Sequence, residues 1–146
     1  MIAGIIRRLT APQPEPLNEE DSRLALAALL VRAARTDGDY ATAEIARIDR
    51  ILAARYNLGE ADARALRAEA ETLEAEAPDT VRFTRVIKET VEYEERASVV
   101  EALWQVVLAD GLRDHEEDAM LRMTASLLGV SDVDSAQARQ RAANGA

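Results

Sequence analysis

The chain has 146 residues, a net charge of −9 and 48% apolar residues, of which few are aromatic (3% of the chain). That length suits one domain with a real core, built mainly from Ala, Leu, Val and Ile, and the scarcity of Gly and Pro points to helices. The acidic balance argues against nucleic acid or an anionic membrane as partner, and the lack of cysteine excludes disulfides, thiolate metal sites and cysteine nucleophiles.

The opening "MIAGIIRRL" is too short for a secretory signal, and its charges follow its apolar residues. It reads as a short helix lying on the domain or touching a surface. "TAPQPEP" then breaks the helix, so residues 1–17 form a short helix and Pro-rich linker, and the domain proper spans 18–142. Asn18 followed by Glu19, Glu20 and Asp21 predicts a capped helix start with acids at the positive end of the dipole. This first helix stops at Asp37-Gly38. A second starts at Ala41 or Thr42, carries Ile45, Ile48 and Leu52 on one face, and ends near Tyr56-Asn57.

A third helix, about 60–77, has a stripe of Ala63, Leu66, Ala70 and Leu73 and ends at Pro78; its acidic run "RAEAETLEAEAPD" reads as a solvated face. Thr80 is placed to cap a fourth helix bearing Phe83, Val86, Ile87 and Val91. A fifth occupies "RASVVEALWQVVLA" and stops at Asp110-Gly111; a sixth starts at Asp114 and a seventh follows Ser131. The tail "RQRAANGA" is expected to fray, most of all at 143–146. The first and fifth helices are apolar nearly all round, the mark of helices buried on several sides. The expectation is an all-α, compact seven-helix bundle around these two central helices.

The two halves register on one another. Arg23 falls on Arg96, Leu30 on Leu103, Asp37 on Asp110, Gly38 on Gly111 and Glu44 on Glu117; after one residue lost in the later copy, Leu58-Gly59-Glu60 aligns with Val130-Ser131-Asp132. This predicts two pseudo-symmetric helical repeats, about 18–77 and 91–142, each with an acidic Asp-Gly corner. Arg23 and Arg96 lie about 21 Å along their helices from these corners, so they are expected to pair with acids on other helices.

With "YEERASVVEALWQVVLADGLRDHEEDAMLRMTASLLGVS" as its strongest stretch, and a looser copy in "SRLALAALLVRAARTDGDYATAEIARIDRILAARYNL", the chain resembles the tellurite-resistance TerB family over roughly 18–142. The resemblance implies a seven-helix domain of two pseudo-repeats, an association with stress and tellurite-resistance operons and phage defence, and a divalent-cation site of acidic residues. Similar domains occur fused to other modules, including a membrane-linked J-domain co-chaperone. Carried over, the implied ligands are Asp37 and Glu44 in one copy, and Asp110 and Glu117 in the other. Asp39 faces Leu112, and Asp114 faces Ala41, so the corners are not equivalent.

Chemically, clustered carboxylates suit hard, oxygen-preferring cations such as Ca²⁺ or Mg²⁺, and "DGDYATAE" lacks the spacing of an EF-hand. The first reading is therefore a non-enzymatic cytoplasmic domain with a metal site of Asp37, Asp39, Glu44, Asp110, Asp114 and Glu117. The second is a metal-free helical adaptor for a protein partner. In it, Asp114 and Glu117 form a capping box and Glu44 supports a first helical turn. No nucleophile triad, phosphate loop or E-x-x-H motif supports an enzyme. His115, the lone histidine, is expected to be exposed, and Trp104 to fill core with its indole N–H on a carbonyl. No organic cofactor and no stable membrane insertion are expected; the chain is read as monomer or homodimer.

Overall fold

Alanine lets one helix lie at the centre of this molecule. In the computed structural model, which describes residues 18–36, 40–76, 80–109 and 115–144 (backbone only for 115–117), the helices are α1 Glu19–Arg35, α2 Thr42–Tyr56, α3 Glu60–Glu76, α4 Thr80–Thr90, α5 Tyr93–Val107, α6 His115–Leu127 and α7 Asp132–Asn144. No strand occurs among the described residues, so the fold is the expected all-α bundle of seven helices. Within α1, Ala25, Ala27, Ala28, Ala33 and Ala34 are fully buried alongside Leu29, Leu30 and Val31. Methyl side chains let neighbouring helices approach closely from several directions while the leucines interdigitate. Accordingly α1 packs against α2, α3, α4, α5 and α6, and α5 against α1, α2, α4, α6 and α7. Both helices expected at the centre are there.

The helix ends follow local chemistry. Asn18 Oδ1 accepts from the Asp21 N–H (2.9 Å) and Asp21 Oδ2 accepts from the Asn18 N–H (3.2 Å), a reciprocal box that fixes where α1 begins. Asn57 closes α2 with a left-handed backbone (φ 54°), and Leu58 N–H donates to Ala53 O. Gly129 closes α6 in the same way (φ 74°), with Val130 N–H on Ala125 O. Ser131 Oγ accepts from Asp134 N–H and caps α7.

Several expectations need correcting. Ile45 is only half-buried, and Glu44 takes the buried position beside Ile48 and Leu52. Thr80 is the first helical residue of α4, and its hydroxyl accepts from Arg32 Nη1. α5 begins at Tyr93, ahead of the expected "RASVV". The tail does not fray where it is described: α7 runs to Asn144 because Ala138 and Ala142 are fully buried and Arg141 pairs with Glu101 of α5. Residues 1–17 lie outside the described residues.

The α1 packing generates a paired prediction. Ala28→Leu should cost about 1–3 kcal/mol by overpacking, and Leu29→Ala about 2–5 kcal/mol by leaving a cavity. Urea unfolding midpoints of both variants against wild type check this; an undisturbed Ala28→Leu would refute close packing around α1.

Candidate acidic corner and its supporting network

The first corner follows the end of α1, where Thr36 N–H donates to Ala33 O and the Thr36 hydroxyl to Arg32 O. Chain description resumes at Tyr40. Its hydroxyl donates to Glu71 Oε2 (2.7 Å), and the Arg35 guanidinium lies 4.9 Å from its ring centroid. α2 starts two residues on. Ala41 carries no capping oxygen, so Glu44 reaches back alone: its Oε1 accepts from the Ala41 N–H at 3.2 Å. The Glu44 side chain is fully buried (0% exposed), and it is the only one of the six expected metal ligands whose side chain the structure describes.

Asp37, Asp39, Asp110 and Asp114 lie outside the described residues, as does the side chain of Glu117. Among the described residues, no three carboxylate or imidazole groups converge so as to hold a metal ion. The side chain of His115 is likewise outside the description.

Beneath the corner lies a charge network that sequence reasoning missed. The face of α3 read as solvated holds Glu74, only 14% exposed, which accepts from Arg35 (2.7 Å) and Arg32 (3.2 Å) of α1. Arg32 Nη2 also donates to the Glu74 carbonyl. Two turns earlier, Arg67 bonds Asp49 of α2 (2.6 Å) and Glu71 (3.1 Å). The acidic stripe of α3 thus ties α1, α2 and Tyr40 together. A signal was present in the sequence: Glu71 and Glu74 recur at helical spacing on one side of α3, and Arg32 and Arg35 do so on α1.

Burial, then the hydrogen bond and negative charge of Glu71, raise the Tyr40 hydroxyl far above its ordinary 10.0. Burial also raises Tyr56. The Asp49 hydrogen bond is the main reason that Arg67 holds its proton even more firmly than usual. Arg23 and Arg96 do not pair with acids on other helices among the described residues. Arg23 bonds Glu19 of its own helix and stacks on Tyr56; Arg96 donates to the Lys88 carbonyl and stacks on Tyr93. An aromatic face takes the place of the expected carboxylate partner.

These features define an all-α helical domain. The sequence matches the model of the tellurite resistance protein TerB family over residues 23–140, and the chain belongs to that family. Its fold is similar to the crystal structure of a protein of unknown function from Porphyromonas gingivalis W83, with a TM-score of 0.63 at 16% identity, covering 88% of this chain and 94% of that one. No curated protein matches the sequence significantly. No helix among the described residues is long and apolar enough to cross a membrane.

Two measurements follow. Glu74→Gln should lower stability by about 1–3 kcal/mol, since it weakens two partly buried charge-assisted bonds at once. Because the folded state raises the tyrosines, their contribution is complete below pH 10.0 and drains away as pH climbs toward the folded-state values. Urea midpoints between pH 8 and 11 should fall with pH in wild type and fall less in Tyr40→Phe.

Proposed function

We propose that this TerB-family domain is a non-enzymatic, cytoplasmic binding module. In this reading it takes a divalent cation, Ca²⁺ or Mg²⁺, at its acidic corners through Asp37, Asp39, Glu44, Asp110, Asp114 and Glu117. The observation that carries the reading is Glu44: a carboxylate withdrawn wholly from water directly after an Asp-Gly-Asp sequence. An ionised carboxylate in that position costs several kcal/mol unless positive charge offsets it. The Ala41 N–H and the helix dipole favour its charged form, and a cation shared with the neighbouring aspartates would favour it further. The two corners belong, on this reading, to a duplicated unit. Support for duplication comes from the packing of α1 on α3 and α5 on α7. It comes also from the two positive-φ helix ends, Asn57 and Gly129, which fall on one another in the sequence register.

The Ala41 N–H bond to Glu44 equally favours the second reading, in which the acids only cap helices and the domain is a metal-free adaptor for a protein partner. One experiment separates them: thermal unfolding in EDTA and then in millimolar Ca²⁺ or Mg²⁺, for wild type, Asp37→Asn/Asp110→Asn and Glu44→Gln. A cation that binds only the folded state raises the melting temperature further as its concentration increases. The cation reading expects that rise in wild type and its loss in both variants. The adaptor reading expects no ion response in any of the three, with Glu44→Gln close to wild type because the amide oxygen still accepts from Ala41.

A further inference from the structure

A protein carrying 27 acidic residues against 18 basic ones should leave few arginines without a carboxylate, and most of the described arginines do have one. Arg32, Arg35, Arg55, Arg67 and Arg141 all form ion pairs between helices. Arg122 of α6 and Arg139 of α7 are different: both line the same cavity, and neither forms an ion pair among the described residues. The cavity holds about 250 Å³ between α6 and α7, and its other walls include Trp104 of α5, Ala125 and Ala136.

Trp104 supplies the second observation. It is 4% exposed, and its buried indole N–H has no acceptor among the described residues, against the expectation that a carbonyl would serve it. The Arg139 guanidinium lies 5.0 Å from the centroid of the same ring, held against the indole. Two guanidinium groups without an ion pair among the described residues and the ring of Trp104 therefore border one cavity. Asp118 and Asp132 also border it, so its charged residues balance and favour a ligand of little net charge.

The corresponding arginine of the first half shows the contrast. The register that sets Leu58 against Val130 sets Arg67 against Arg139, yet Arg67 is held by Asp49 and Glu71. The wider groove between α2 and α5 is lined by Arg47 and Arg50 as well as Arg55, which Ser98 and Glu95 hold, but it has no aromatic wall.

We propose that the α6–α7 cavity binds a small zwitterionic carboxylate of α-amino-acid size. Arg122 and Arg139 take its carboxylate, Asp132 at the start of α7 takes its ammonium group, and its body lies against the Trp104 ring. At about 30 Å³ per water-sized volume, the cavity admits roughly eight to ten non-hydrogen atoms. The apolar wall of Trp104, Ala125 and Ala136 suits an organic body, which an inorganic oxyanion lacks. A guanidinium fork is the natural partner for a planar carboxylate.

Trp104 is the sole tryptophan, so a ¹⁵N-labelled sample gives one indole N–H signal, which reports on the cavity directly. The full-length protein is titrated at constant ionic strength with each proteinogenic L-amino acid, with propionate, and with inorganic phosphate. The proposal expects at least one amino acid to move the indole signal saturably, with half-saturation at or below about 1 mM. Arg139→Gln and Arg122→Gln should each weaken that binding about tenfold or more, roughly 1.4 kcal/mol, while the rest of the spectrum confirms the fold. A flat indole signal across the whole panel overturns the proposal. So does phosphate matching the best amino acid, propionate matching it, or binding that ignores both arginine substitutions.

Discussion

Everything in this molecule is arranged around the burial of α1. A helix packed by five others has no solvent-facing side on which to keep large polar groups, so its middle is alanine, leucine and valine. The many alanines set how near the neighbouring helices come, and the leucines fill the space between them. The few charged side chains that α1 does carry must then find partners in the surrounding helices. Arg32 and Arg35 do so at Glu74, where α3 is fastened across the end of α1 that leads into the first acidic corner.

This fastening matters for the corner itself. Tyr40 emerges from it directly into contact with Arg35 and Glu71, and Glu44 turns back under the start of α2. Both described flanks of the corner are therefore tied to the surrounding helices. The charges in the network alternate from helix to helix, so the overall acidity of the chain is not expressed at this point. Arginines of α1 and α3 neutralise Glu74 and Glu71.

The second half of the chain solves the same packing problem with different chemistry. α5 is as central as α1, but it carries Trp104 where α1 carries an aliphatic residue, and the helices beside the indole leave a cavity rather than a closed ion-pair network. The arginine that α3 ties to Asp49 has its counterpart on α7 stacked on an aromatic ring instead. The two halves therefore use their charged side chains differently.

Local and periodic signals are short-range, and the sequence alone determined what depends on them: seven helices, the Asn18 cap of α1, and the two helices apolar enough to be central. A cap acts within one turn and an apolar stripe within one helix, so both can be read along the chain. Tertiary structure decided the partners. "RAEAETLEAEAPD" is equally consistent with a wet face and with a stripe of ion-pair acceptors, and only the approach of α1 made it the latter. The tail "RQRAANGA" has weak local reasons to stay helical, and burial of Ala138 and Ala142 holds it so. Arg23 and Arg96 met rings rather than acids of other helices, and the Trp104 N–H met no carbonyl among the described residues. Each depends on which atoms of distant helices come within about 3–6 Å, a distance that no residue spacing along the chain encodes.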